Sequence, residues 1–302
     1  MLLYAGITVK SQDLSTQSVP STVKSDADDF IDHFGYDEDY STFYIRTGFS
    51  GDYGLCYDDP CDYYDEEEGL NYDYLTTIMY DPETGLNYDL YGGYHINRFI
   101  SVGIGLEYFH GFNINQTRTG TSGESGSFNE TVKWNATMFG IIPGIEISPG
   151  FSTLNPWIDI GAYIGVIPRI MEKETNTSSS GTSSSTTTQT GYYHGGVPIG
   201  FDIKAGVDYK LTKTLGLYAD LNFRGLNFTP KKYSMKTYSI DGVDYFSTLS
   251  TKQKETDFVK SYDSRETIPP DSPNKALKES FPFTGIGLDI GVKLNLGKWE
   301  RW

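Results

Sequence analysis

Apolar residues alternate with glycine and charged residues along much of the chain. Within residues 156–172, Ile158 and Ile160 occupy one parity while Asp159 and Gly161 occupy the other. The same alternation recurs in three later stretches, which begin at Val197, Leu215 and Ile286. Successive side chains of a β-strand point to opposite faces, so a period of two predicts strands.

Looser alternation in the first half extends the prediction to eight strands. We place them at residues 41–50, 86–96, 99–115, 130–148, 156–172, 193–210, 215–230 and 282–296. Three connections between these strands are short. The other four are long and polar, at residues 51–85, 116–129, 173–192 and 231–281. Short and long connections alternate strictly, which is typical of a transmembrane barrel with short turns on one rim and long loops on the other.

A ten-stranded barrel is the alternative strand count. Residues 2–9 alternate weakly, and residues 72–79 could form a further strand before the turn at 81–85. Eight strands agree better with the acidic character of residues 51–70, which indicates a loop.

The face opposite the apolar one mixes glycine with charges of both signs. In a soluble ligand-binding barrel the apolar face would point inward, whereas lipid requires it to point outward. Glycine relieves crowding inside a narrow tube, so we expect the glycine and charged face to line the lumen. There the charges would pair. The expected lumen network is Arg46, Glu107, Glu146, Asp159, Arg169, Asp202, Lys204, Asp208, Asp220, Arg224, Asp289 and Lys293.

Aromatic residues near the strand ends fit the girdles that flank the apolar band of such a barrel. The candidates are Tyr108, Phe109, Phe112, Trp134, Trp157, Tyr209, Phe228 and Trp299.

Charged residues are distributed unevenly along the chain. The formal net charge is -16, which excludes an electrostatic nucleic-acid interface. Residues 1–90 contain 20 of the 40 acidic side chains but only three of the 24 basic ones, so the remainder is nearly neutral. Residues 1–40 therefore read as an acidic, polar N-terminal arm or leader, and residues 41–302 as the barrel with its loops. No apolar run is long enough for a transmembrane helix.

Three stretches resemble the small outer-membrane barrels of diderm bacteria, of the OmpA, OmpX, OmpW and opacity-protein type. They are FYIRTGF at 43–49, GGYHINRF at 92–99 and the terminal strand GIGLDIGVKLNL at 285–296. The resemblance implies location in the outer membrane, contact with its lipid and lipopolysaccharide, and insertion by the barrel-assembly machinery. That machinery reads a closing aromatic, for which Trp299 and Trp302 are candidates.

The first long loop carries two further features. Cys56 and Cys61 flank Pro60, and an exported loop in an oxidising compartment favours a disulfide between them. A run of carboxylates could bind calcium, although it lacks the spacing of a calcium-binding loop and a solvated surface is the favoured interpretation. The candidate ligands are Asp58, Asp59, Asp62, Asp65, Glu66, Glu67 and Glu68. No other cofactor is expected.

Two outer loops have distinct compositions. The Ser/Thr tract from Asn176 to Thr190 is expected to be flexible and exposed. Residues 231–281 could form an extended hairpin above the membrane.

Catalytic motifs are lacking from the sequence. The four histidines, His33, His95, His110 and His194, stand in no motif with a nucleophile, and there is no nucleophile elbow, P-loop or zinc motif. We therefore expect no enzyme; the alternative is a hydrolase or acyltransferase at the rim. The favoured function is an anchor that displays acidic surface loops for envelope integrity, adhesion or surface interaction. A narrow channel for small or apolar solutes and a soluble ligand-binding barrel are the alternatives.

Overall fold

The computed structural model describes residues 43–55, 84–122, 126–261 and 267–297. Fourteen strands account for most of them, together with the one-turn helix α1, Thr251–Lys254. The strands are β1 Phe43–Gly54, β2 Gly85–His95, β3 Ile100–Gly111, β4 Ile114–Ser122, β5 Gly126–Ile147, β6 Leu154–Ser180, β7 Ser183–His194, β8 Ile199–Lys210, β9 Leu215–Phe228, β10 Lys232–Ile240, β11 Val243–Asp244, β12 Glu255–Val259, β13 Asn274–Leu277 and β14 Phe281–Leu296. No helix within these ranges is long and apolar enough to cross a membrane.

Eight of the strands close into a ring. Each pairs antiparallel with the next in the order β1, β2, β3, β5, β6, β8, β9 and β14, and β14 returns to β1. This up-and-down barrel confirms the predicted eight strands. The ten-stranded alternative is wrong, because every strand of the ring is paired along both edges and none is left to accept another strand.

Apolar side chains cover the outside of the barrel. Ile160, Leu221 and Leu288 are 55%, 65% and 57% exposed, whereas the inward-facing neighbours Asp159 and Asp220 are 3% exposed. A soluble barrel has the opposite arrangement, because water solvates its outer face. The alternation therefore confirms a transmembrane barrel and contradicts the soluble alternative.

The three short turns lie at one rim, which we call the short-turn end. They connect β2 to β3, β5 to β6 and β8 to β9. In the first, the Asn97 side-chain oxygen accepts hydrogen bonds from the backbone N–H of Phe99 and Ile100 at 2.8 and 2.9 Å. In the third, the Thr212 hydroxyl accepts from Thr214 and Leu215. Side chains that replace a backbone partner in this way are what tight turns require.

The opposite rim, the long-loop end, carries an additional β-sheet. β5 and β6 continue well beyond the lipid-facing segment, and β4, β7, β10, β12 and β13 add to them in the order β13-β12-β10-β7-β6-β5-β4. We call this the outer sheet. Much of the three stretches 116–129, 173–192 and 231–281 is thus strand rather than irregular loop. The Ser/Thr tract, expected to be flexible, pairs residue by residue between β6 and β7 from Asn176↔Thr187 to Ser180↔Ser183.

Arg169 does not lie in the lumen, which corrects one predicted position. Ile167 adopts a positive φ of 51° opposite a register shift in β5, and this bulge reverses the inward and outward parity of β6. Pro168 and Ile170 are consequently buried, and Arg169 is exposed, with its guanidinium 5.2 Å from the centre of the Tyr192 ring.

Several predicted features lie outside the described residues. They are the acidic arm at residues 1–40, the predicted disulfide between Cys56 and Cys61, the closing aromatics Trp299 and Trp302, and the calcium candidates Asp58, Asp59, Asp62, Asp65, Glu66, Glu67 and Glu68.

Candidate functional site

The first group of lumen residues lies near the short-turn end. Arg46 pairs with Glu146 at 2.7 Å and with Asp208 at 3.2 Å, and Lys293 reaches the same Asp208 oxygen at 2.5 Å. The Trp157 ring lies 3.9 Å from the Arg46 guanidinium carbon. All five side chains are buried. They occupy five strands, β1, β5, β6, β8 and β14, so the contacts connect opposite walls of the barrel.

Tyrosines complete the pairing in the middle of the lumen. Lys204 pairs with Asp289 at 2.8 Å. The Tyr91 hydroxyl donates to Asp159 at 2.9 Å. The Tyr218 hydroxyl donates to Asp89 at 3.1 Å. Asp220 is 3% exposed and faces Asp289 across the strand pair β9–β14.

The third group lies toward the long-loop end. Arg224 is 1% exposed and pairs with Glu107 at 2.5 Å, with Asp52 at 3.4 Å and with Asp202 at 3.6 Å. The Tyr163 hydroxyl donates to Glu107 at 2.9 Å. The guanidinium therefore holds three carboxylates from three strands, and the lumen is filled at this level.

Eleven of the twelve predicted network residues line the lumen, and Arg169 is the exception described above. The sequence-based prediction omitted Asp52, Asp89, Trp157 and the four tyrosines Tyr44, Tyr91, Tyr163 and Tyr218. Asp52 lies beyond the predicted end of the first strand at residue 50, but the parity of the other residues along β1, β2, β6 and β9 would have included them.

An apolar cluster closes the lumen on the long-loop side of Arg224. Phe109, Phe228 and Phe283 are essentially inaccessible to solvent, and Phe281, Trp134 and Tyr193 pack against them. The Phe109 and Phe283 rings meet edge to face at 6.1 Å. Phe109 and Phe228, and Trp157 nearer the short-turn end, were predicted to face the membrane interface but are buried inside the barrel. The cluster separates the charged lumen from the outer sheet.

Acidic residues gather on the inner side of the outer sheet, beyond the lipid-facing segments. Burial raises the pKa of Glu172, a hydrogen bond with Tyr193 lowers it, and the nearby carboxylates Glu174, Glu279 and Glu130 raise it; the net result is a pKa of about 7. Burial also raises the pKa of Glu279 and, together with Glu174, that of Glu130. Three of these carboxyl groups therefore ionise less readily than usual.

The described histidines form no catalytic arrangement. His95 contacts the Ser101 hydroxyl at 2.7 Å through Nδ1, but both residues are buried in the lumen beside the Tyr44 ring. His110 is exposed, and His194 contacts Ser234 in the outer sheet at 3.0 Å. Among the described residues, no group of three or more His, Cys, Asp or Glu side chains is arranged to hold a metal ion.

No protein-family model and no curated protein matches the chain. Solved structures that are similar to the chain include the following two. Neisserial surface protein A (NspA) has 11% sequence identity and a TM-score of 0.32, covering 85% of this chain and 98% of that one. CarO2 of Acinetobacter baumannii has 15% identity and a TM-score of 0.27, covering 85% of this chain and 99% of that one.

Proposed function

We propose that the protein is an integral outer-membrane barrel that anchors the outer sheet and displays it at the cell surface. The observation that carries this proposal is the continuity of β6, which runs without a break for 27 residues from the short-turn end to the tip of the outer sheet. A transmembrane strand needs only about 9–11 residues. The remaining residues extend the strand beyond the lipid, so the display surface and the anchor are parts of the same strand.

The lumen supports an anchor better than a channel. Arg46 and Arg224 bind carboxylates from across the barrel, Lys204 binds Asp289 two strands away, and the aromatic cluster around Phe109 lies across the long-loop end. An eight-stranded barrel has room for little besides such side chains. We also propose a non-enzymatic role, because the buried Ser101–His95 contact lies in this filled lumen.

Surface labelling tests the proposed location and orientation. In a chain carrying Cys56→Ser and Cys61→Ser, Thr182→Cys at the tip between β6 and β7 should react with a membrane-impermeant biotin maleimide on intact diderm cells. Thr153→Cys at the short-turn end should react only after the outer membrane is permeabilised. Equal labelling of both, or labelling of Thr153→Cys alone, would contradict the proposal.

Planar-bilayer recording distinguishes the anchor from a narrow channel. The purified barrel should insert without producing stepwise conductance. Reproducible steps that disappear when Asp220 is replaced by Phe would instead establish a permeation path through the lumen.

A further inference from the structure

The outer sheet borders an open cavity of about 710 Å³ on the inner side of β5, β6 and β7. Most of its lining residues have the same parity as Ala136 and Ile170, which are buried in the aromatic cluster on the barrel side. The cavity therefore opens on the long-loop side of that cluster and is separate from the charged lumen.

Neutral polar side chains dominate the wall. In successive rows across the three strands, Asn176 lies beside Thr187, and Glu174 lies beside Gln189. Serine hydroxyls line the cavity near the tip between β6 and β7, and Phe128 is the one aromatic residue among the described lining residues. The lining includes Phe128, Glu174, Asn176, Ser178, Thr187 and Gln189.

Two contacts hold this wall in place. The Gln189 side-chain amide donates to Glu174 at 2.5 Å, which fixes the orientation of both side chains. Phe128 lies opposite Gly120 of β4, and a Cβ at Gly120 would collide with its ring. The ring is thus packed against bare backbone on one side, an arrangement that fixes an aromatic side chain on a sheet.

We propose that this cavity binds a neutral oligosaccharide. A saccharide presents many hydroxyl groups that both donate and accept hydrogen bonds, and the amides and hydroxyls of the wall offer the same two functions. Its C–H faces pack on an aromatic ring, which Phe128 supplies. The inference rests on the proposed surface display, because the cavity would then face the medium.

The same lining disfavours other ligand classes. Glu174 is the one charged residue among the described lining residues, so this wall repels anions. That carboxylate already accepts a hydrogen bond from Gln189, and Glu130 on the same face lies opposite Arg118, which partly neutralises it. Apolar ligands would find a single ring among hydroxyls, whereas pockets for such ligands are mostly apolar.

The test uses the full chain reconstituted in lipid nanodiscs. Labelled nanodiscs are applied to an array of neutral glycans, and maltopentaose, chitotetraose and spermidine are titrated calorimetrically. We expect saturable binding to at least one family of neutral glycans, weakened by about tenfold or more in the Phe128→Ala and Asn176→Ala variants, since each removes a stacking or hydrogen-bonding partner. Thr177→Ala and Thr188→Ala, on the opposite face of the same strands, should leave binding unchanged.

The outcomes separate this inference from the proposed display function. Absence of binding to every neutral glycan, by protein whose Thr182→Cys variant is labelled on intact cells, would overturn the saccharide site and leave the display function standing. Tighter binding of spermidine than of any glycan, or equal losses in the opposite-face variants, would also overturn it. Failure of the surface labelling would contradict the display function itself.

Discussion

The guanidinium carbon of Arg46 lies 3.9 Å from the centre of the Trp157 ring, and both side chains bind Asp208. Arg46 belongs to β1 and Trp157 to β6, on opposite sides of the ring of strands. Because Glu146 also reaches Arg46, a single buried cation joins four strands near the short-turn end. A buried charge in this position is costly to leave without its partner.

Replacing Arg46 by Met should therefore destabilise the barrel by about 3–5 kcal/mol, since Glu146 and Asp208 would remain buried without it. Urea unfolding of protein folded into phospholipid vesicles measures this. The control is Lys232→Met, which removes an ion pair with Asp257 whose side chains are 54% and 41% exposed. That change should cost less than about 1 kcal/mol. Similar losses in the two variants would mean that the Arg46 network contributes no more than a surface pair.

Adjacent glycines on β2 should respond in opposite ways to alanine. A Cβ at Gly93 would overlap the Tyr44 ring, which is 1% exposed and hydrogen-bonded to Glu146 at 2.8 Å. Gly93→Ala should therefore cost about 1–3 kcal/mol through overpacking. Gly92 points outward with no atom near its Cβ position, so Gly92→Ala should be neutral or stabilise by up to about 1 kcal/mol. The same urea titration checks both, and equal effects would argue against an inward-facing Gly93.

Charge on the apolar outer face should be tolerated only beyond the lipid. Leu221 lies midway along β9 and is 65% exposed, while Val243 in β11, which pairs with β10 beyond the barrel, is 56% exposed. Leu221→Arg should cost about 2–4 kcal/mol, the penalty for an arginine near the bilayer midplane. Val243→Arg should change the free energy of unfolding by less than about 0.5 kcal/mol. If Leu221→Arg were equally harmless, the outer face of β9 would not contact lipid.

The outer sheet should lose stability as the pH rises through the pKa of Glu172. This pKa, about 7, exceeds the ordinary value of 4.5, so the folded sheet binds the proton more tightly than the unfolded chain. The stabilisation is complete below pH 4.5 and is lost progressively up to about pH 7. Hydrogen exchange of β6 and β7 amides beyond the lipid should accordingly be faster at pH 8 than at pH 5, after correction for intrinsic rates. Glu172→Gln should reduce this difference, whereas Lys173→Gln on the opposite face should preserve it.

Parity along the strands predicted most of the lumen. Asp159, Asp202, Lys204 and Asp289 all point inward as their positions within alternating stretches require. The same rule also places Trp157 with Asp159, and Phe109 with Glu107. We instead predicted these aromatics at the membrane interface because of their position near strand ends, and here parity was the better guide.

Two features could not be read from the sequence. A β-branched residue at positive φ is unusual, so the bulge at Ile167 gave no local signal and Arg169 was placed on the wrong face. The outer sheet was also missed in part, because Ser/Thr stretches such as residues 176–190 are stabilised by pairing with β5 and β10 rather than by their own propensity.

The unbroken course of β6 has a mechanical consequence. A pull on the tip between Ser180 and Ser183 runs along covalent backbone directly into the membrane-spanning wall, with no flexible linker between the two. The backbone hydrogen bonds to β5 and β8 lie across the strand, so a force along β6 loads many of them at once in shear. Tension applied to the surface is therefore shared by the whole wall rather than opening one bond after another.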